Sequence, residues 1–101
     1  MKWFSFKVKE GFSMTYEELT TRATITITDF MDRAKSSGNR HTAELCFNAA
    51  WGAKILWRDL SNVMQEQCQE LDVKLKLWNS INKQNEIFDK LVDVQSVPDL
   101  R

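Results

Sequence analysis

The scarcity of residues that break regular structure is the feature that most constrains the fold of this chain. The sequence holds three glycines and one proline, and neither residue type occurs between Gly52 and Pro98. Because glycine and proline mark most turns and loops, the sequence predicts a few long, regular elements joined by short connections. Its 101 residues are enough for one domain.

The first predicted helix covers residues 14–36, although its segment ATITIT alternates as a strand would. Thr15 and Glu18 have the spacing of a capping box, which marks a helix start. On a helical projection most apolar side chains fall within an arc of about 120°, and only Met14 and Ile25 lie outside it. The arc expected to face the core consists of Tyr16, Leu19, Ala23, Ile27, Phe30, Met31 and Ala34.

A second, longer helix is predicted over residues 40–69, after the break SSGN. Within that break Gly38 suits the end of one helix, and Asn39 suits the N-cap of the next. A helix of this length is about 45 Å long, so it is expected to project, to bend or to be packed by a second subunit. The stripe expected to face the core consists of Leu45, Ala49, Ala53, Leu56, Leu60, Val63 and Met64.

The segment over residues 71–77 leaves two structures open. Its apolar and charged side chains alternate, which is typical of a strand that would pair with the similarly alternating residues 3–9. The segment is also compatible with the start of a third helix, because Leu71, Leu75 and Trp78 would then share one face.

The sequence that follows, NKQNEIFDKLVDV, has a helical pattern, so a last helix over residues 72–94 is favoured. The fold class expected is mostly α: a small helical bundle with a long central helix and, as an option, a short N-terminal strand. An arm over residues 1–12 would precede this single domain, and a frayed tail over residues 95–101 would follow it.

The second helix carries apolar side chains on a further face as well. Phe47, Trp51 and Ile55 are spaced four residues apart and form a stripe opposite the expected core face. The helix is either covered on both sides by its own chain or meets a second copy or another protein through this stripe. Tryptophan and phenylalanine are enriched at interface centres, so these three residues are the candidate partner-binding site, with a two-fold dimer as the first expectation.

Motifs for catalysis or metal binding do not stand out in the sequence. The single histidine and two widely spaced cysteines form no recognisable metal motif, and no phosphate loop or nucleophile motif occurs. We therefore expect no cofactor, no metal and no enzymatic activity. One weak anion site is conceivable where Arg40 and His41 begin the second helix, with Trp51 or Tyr16 stacking on the base of a nucleotide.

Charge and hydropathy narrow the partners further. Fourteen basic residues balance fourteen acidic ones, which argues against nucleic-acid binding through a broad basic surface. A nucleic-acid role would require the two alternating segments to pair as strands and form a basic, aromatic ribbon. No apolar run has the length of a membrane span, and the N-terminal residues do not resemble a signal peptide. With two cysteines expected to be free thiols, a cytoplasmic location is predicted.

The function expected from these features is that of a small, non-enzymatic, cytoplasmic interaction protein that self-associates and binds a macromolecular partner. Adaptors, inhibitors and the short host-takeover or anti-defence proteins of phages belong to this class. The alternative is a protein that binds or sequesters a small anionic ligand, such as a nucleotide, at the helix start with Arg40 and His41.

Overall fold

The computed structural model describes residues 13–101 of the chain. Three α-helices follow one another, α1 (Tyr16–Lys35), α2 (Arg40–Gln67) and α3 (Leu71–Leu91), and two short 3₁₀ turns, Val94–Ser96 and Pro98–Leu100, end the chain. This part of the chain contains no strand, so the prediction of a small, mostly helical bundle is confirmed. The optional strand and the arm over residues 1–12 lie outside the described residues.

Local hydrogen bonds explain where α1 and α2 begin. The Thr15 hydroxyl accepts a hydrogen bond from the Glu18 amide at 3.1 Å, and the Glu18 carboxylate accepts one from the Thr15 amide at 3.2 Å, which confirms the capping box. The Asn39 side chain accepts from the Thr42 amide at 2.8 Å and is the predicted N-cap of α2. Between them Gly38 has a φ of +78°, a conformation that favours glycine.

The buried face of α1 is the predicted one. Ala23, Ile27, Met31 and Ala34 are buried, and the other members of the arc pack half-buried against the core. The two apolar residues that fell outside the arc, Met14 and Ile25, are exposed. Despite the strand-like ATITIT segment, burial of this arc is compatible only with the helix.

The predicted core face of α2 is wrong for its three leucines and its valine, although Ala53 packs half-buried against the core. Leu45, Leu56, Leu60 and Val63, expected inside, are between 42% and 59% exposed. The side of α2 that is buried instead, called here the buried arc, consists of Ala43, Ala50, Lys54, Trp57 and Ser61. Lysine and serine made this side look polar in the sequence, but the small residues on it admit close packing and the tryptophan supplies a large apolar area.

Trp57 lies where the three helices meet. Its ring is 1% exposed and makes an edge-to-face contact with Phe88 of α3, at 4.9 Å between centroids. From α1, the ring of Tyr16 lies 6.5 Å away, and the Thr20 hydroxyl accepts a 3.0 Å hydrogen bond from the indole N–H. One side chain therefore joins all three helices of the described structure.

Residues 71–77 are helical, so the strand alternative for this segment is wrong, and the basic ribbon that required two paired strands does not form. Leu71, Leu75 and Trp78 share one face of this helix, as its helical alternative predicted, and these side chains are 49% to 67% exposed. α3 buries Ile81 and Phe88 instead. The N-terminal part of α3 extends beyond these two buried residues, so its apolar face with Leu71, Leu75 and Trp78 is exposed to solvent.

The last residues differ from the frayed tail that was expected. Val97 lies between the two 3₁₀ turns and is completely buried in the core. The Ser37 hydroxyl donates a 3.2 Å hydrogen bond to the Asp99 carboxylate, which ties the end of the chain to the α1–α2 connection. A buried apolar anchor and a long-range hydrogen bond hold the tail in place.

Candidate interaction surfaces

Three longitudinal surfaces divide the circumference of α2. Successive residues of a helix are rotated by about 100°, which places Phe47, Trp51 and Ile55, called here the tryptophan flank, about 90° from the buried arc. A third surface, called here the seam, lies about 135° from the buried arc and equally far from the tryptophan flank. The seam consists of Leu45, Ala49, Gly52, Leu56, Leu60 and Val63.

The tryptophan flank is the predicted partner-binding site, and its three members differ in burial. Phe47 is half-buried and packs against the core, whereas Ile55 is half-buried outside the core cluster. Trp51 is 47% exposed. The structure brings the three residues together on one surface, with an exposed indole at the centre and a supported phenylalanine beside it.

The side chain of Lys54 packs against the exposed indole of Trp51. This lysine is only 3% exposed, and its ammonium group lies 4.4 Å from the centre of the Trp51 ring, within the range of a cation–π interaction. The same ammonium group forms an ion pair with Asp89 of α3, whose side chain is 51% exposed. The tryptophan is thus fixed on a charged pair that also joins α2 to α3.

The seam is an apolar stripe that the described residues leave uncovered. Its four large side chains are 42% to 59% exposed, Ala49 is half-buried, and Gly52 is exposed. A Cβ atom built on Gly52 would meet nothing within 4 Å. The stripe extends over 19 residues of helix, about 27 Å from the first to the last, and so offers a continuous apolar surface rather than scattered side chains.

An apolar groove extends the seam towards α1. Leu19 and Ala23 of α1 line it from one side, Ala53, Leu56 and Leu60 of α2 line it from the other, and the buried Trp57 forms part of its wall. The described residues that line the groove all belong to α1 and α2. α3 contacts the buried arc instead, through Phe88 on Trp57 and Asp89 on Lys54, and its Leu77 lines a separate pocket together with Tyr16 at the start of α1.

The weak anion site is not assembled as the sequence suggested. The Arg40 guanidinium is engaged by Glu44 at 3.0 Å, and Asn39 already satisfies the Thr42 amide, while His41 is exposed. Trp51 is eleven residues further along α2, about 16 Å. Tyr16 packs near Trp57 instead, so neither aromatic ring reaches the start of α2 to stack on a base.

Sequence reasoning missed the seam as a surface because it assigned the same stripe to the core. One signal was present: Leu45, Ala49, Gly52 and Leu56 repeat at intervals of four, three and four residues, as in a heptad seam. Such a pattern is typical of a helix that packs along another helix, but it does not indicate whether that helix belongs to the same chain.

Other chemistry has little support among residues 13–101. No group of three or more histidine, cysteine, aspartate or glutamate residues is placed to hold a metal ion in that range, and Cys46 and Cys68 are free, half-buried thiols. None of the three helices has the length and hydropathy of a membrane span. No family model, curated protein or solved structure matches the chain.

Proposed function

We propose that this chain is a small, non-enzymatic interaction protein that self-associates and acts by binding a macromolecular partner, as an adaptor or an inhibitor does. The observation that carries the proposal is that more large apolar side chains are exposed than buried in the described part of the chain. Extended apolar surface on a folded domain is typical of a binding site. The exposed residues are Met14, Ile25, Leu45, Trp51, Leu56, Leu60, Val63, Leu71, Val73, Leu75, Trp78, Ile87 and Val94.

Two separate surfaces of α2 suit the two parts of the proposal. The tryptophan flank and the seam lie on different sides of the helix, so one is able to bind a partner while the other is covered. The tryptophan flank is the better candidate for the foreign partner, because Trp51 has an exposed indole held on Lys54. An exposed tryptophan whose ring already packs on a neighbouring side chain loses little conformational entropy on binding, and tryptophan is among the residue types enriched at the energetic centres of interfaces.

The surroundings of Trp51 suggest which groups the partner presents. Asp89 is half exposed beside the flank, and its carboxylate has room for a second donor besides Lys54. An apolar side chain placed against the indole, next to an arginine, lysine or amide donor, would match this surface. A cytoplasmic location belongs to the same proposal, and it fits the two free thiols of Cys46 and Cys68.

The alternative function, binding of a small anionic ligand at Arg40 and His41, has weaker support. Arg40 is already paired with Glu44, and the side chain of Asn39 caps the helix start. An anion would have to compete with both groups. Phosphate or nucleotide binding that is lost in Arg40→Ala and kept in Trp51→Ala would establish this alternative in place of the main proposal.

The experiment that tests the main proposal compares two tryptophans of nearly equal exposure. Trp51 on the tryptophan flank is 47% exposed and Trp78 on α3 is 49% exposed. We expect that Trp51→Ala abolishes retention of a protein that the immobilised wild type captures reproducibly from a lysate and that then binds it as a purified protein. Trp78→Ala is the matched control and is expected to retain it.

The self-association part is measured separately, as the mass of the purified protein by light scattering across a dilution series. A mass above that of one chain supports it, whereas a monomer at every concentration contradicts it. Equal capture by the Trp51→Ala and wild-type proteins would contradict the assignment of partner binding to the tryptophan flank.

A further inference from the structure

We propose that a second copy of this chain covers the seam, with the two α2 helices antiparallel across a two-fold axis that passes between Gly52 and Leu56 of each copy. This inference rests on the self-association in the proposed function and assigns it to one surface. The tryptophan flank stays free in such a dimer. The seam is the strongest candidate for the contact because it is long, apolar and uncovered by the described residues.

The spacing of the seam selects a helix as its occupant. Leu45, Ala49, Gly52, Leu56 and Val63 follow a heptad repeat with intervals of three and four residues, and Asp59 stands at the remaining position between Leu56 and Val63. A helix that packs along another at a shallow angle needs this repeat on its contact face. The side chains of an extended peptide alternate at intervals of two, so they do not match the heptad spacing of the seam.

The sizes of the side chains select a second copy of the same helix. Near the midpoint of the seam, the residues on the N-terminal side have small side chains, Ala49 and Gly52. Those on the C-terminal side have large ones, Leu56 and Leu60. An antiparallel two-fold places the small half of each copy against the large half of the other. A surface whose two halves complement each other in this way is complementary to itself.

One register brings the whole seam into contact. Gly52 then faces Leu56 of the second copy, and Leu45 faces Val63 of the second copy. In a two-fold contact each of these pairs occurs twice. Ala49 of one copy faces Asp59 and Leu60 of the second copy. Because the Ala49 side chain is small, the Asp59 carboxylate, which is exposed in the single chain, keeps access to solvent at the edge of the seam.

The edge of α1 widens this contact. The groove beside the seam is lined by Leu19 and Ala23 as well as by α2 residues, so a leucine of a second α2 helix has an apolar recess beside Leu56 and Leu60. The assembled contact would be a four-helix layer made of two α1–α2 pairs. α3 contributes no residue to the groove, and its Phe88 and Asp89 contact the buried arc on another side of α2.

The first test places a charge in the middle of the seam. We expect Leu56→Glu to raise the dissociation constant of the dimer by about tenfold or more, as loss of a central contact does, when the mass is followed by light scattering or sedimentation from micromolar to millimolar protein. Ile25→Glu is the matched control, since Ile25 is similarly exposed on the far side of α1. It is expected to leave the dimer unchanged.

The second test separates the dimer from the fold of the single chain. A side chain at Gly52 meets open space in the single chain, and leucine favours a helix more than glycine does. Gly52→Leu should therefore fold at least as well as the wild type by circular dichroism. In the proposed register the new side chain collides with Leu56 of the second copy, so the dimer should weaken by about tenfold or more.

The third test fixes the orientation. In a background with Cys46→Ala and Cys68→Ala, the variants Leu45→Cys and Val63→Cys are mixed and oxidised. A disulfide between the two different variants, with little disulfide in either variant alone, is expected for the antiparallel register. Efficient cross-linking of Leu45→Cys with itself would indicate parallel helices and would overturn the register.

The outcomes keep this inference apart from the proposed function. If the wild type self-associates and both Leu56→Glu and Gly52→Leu do so equally well, the seam is not the contact, but self-association stands. If the wild type is a monomer at every concentration, both the inference and the self-association part of the proposed function are wrong. Partner binding through the tryptophan flank is unaffected by either result.

Discussion

The two sides of α2 contradict the usual relation between hydropathy and burial. The buried arc contains a lysine and a serine, and both are at most 3% exposed. The seam on the other side contains three leucines and a valine that are 42% to 59% exposed. Hydrophobic residues are more often inside a domain and charged ones outside, so the less apolar side of this helix is the one that residues 13–101 cover.

The difference shows that shape decides between the two sides as much as hydropathy does. Ala43 and Ala50 are completely buried and are small enough for other elements to approach the helix closely. Trp57 then fills the space where the helices meet, with contacts to α1 and α3. A dense contact of small residues around one large ring gains more dispersion energy than an even row of leucines against a loosely fitting neighbour.

The largest expected difference between the two sides is at tryptophan. Trp57→Ala should lower the free energy of unfolding by about 3–5 kcal/mol, because it leaves a cavity between three helices and removes the hydrogen bond to Thr20. Trp51→Ala removes the same side chain from an exposed site and should cost about 1 kcal/mol or less. Urea denaturation of the two variants, at protein concentrations below self-association, measures both values.

A similar loss for both variants would show that the tryptophan flank belongs to the core as much as Trp57 does. In that case the comparison between a buried and an exposed side of α2 would fail. Trp78→Ala provides a further control, since Trp78 is as exposed as Trp51 but lies on α3. Its expected cost is equally small.

How much of this could be predicted from the sequence differs from helix to helix. The buried face of α1 could be predicted because its apolar residues fall on one arc, and only Met14 and Ile25 lie elsewhere. Around α2, apolar residues occur on nearly every side, so periodicity alone does not indicate which side is buried. Lys54 and Ser61 also make the side that is buried the less apolar one in the sequence.

The candidate sites depend on the same limitation. The tryptophan flank could be found from the spacing of Phe47, Trp51 and Ile55 alone. Its support by Lys54 and Asp89 could not, because Asp89 is 35 residues away and meets Lys54 only through the packing of α3 on α2. For the same reason nothing local in the sequence indicated that Val97 is completely buried.

A smaller effect is expected at Lys54, the polar residue that most distinguishes the buried arc. Lys54→Met keeps the apolar stem and removes the charge, and replacing an ion pair by an apolar side chain of similar volume is often nearly neutral. We expect a change in the free energy of unfolding of about 1 kcal/mol or less. Lys54→Ala also removes the stem and should cost about 2 kcal/mol, at about 0.8 kcal/mol for each buried methylene.

The ion pair with Asp89 is the quantity that this series isolates. Because the Asp89 side chain is 51% exposed, water is able to solvate it after Lys54 is replaced, so the lost pairing is discounted. A loss for Lys54→Met as large as that for Lys54→Ala would instead show that the charge contributes most of the stability. Such a result would show that Lys54 stabilises the contact between α2 and α3 mainly through its charge rather than through its apolar stem.

The smallest expected effect concerns Tyr16, which packs against Trp57 at the edge of the buried arc. Burial raises the pKa of Tyr16 above its ordinary value of 10.0; the hydrogen bond with Thr20 lowers it and the charge of Glu17 raises it. The unfolded chain therefore loses this proton first as the pH rises. The contribution to stability is complete below pH 10.0 and is lost as the pH rises through the higher pKa of the folded state.

Since Tyr16 is the only tyrosine in the chain, tyrosinate absorbance measures its titration directly. Tyr16→Phe should show less loss of stability above pH 10.0 than the wild type. Equal losses in both proteins would place the alkaline sensitivity elsewhere and leave Tyr16 with only a packing contact to Trp57.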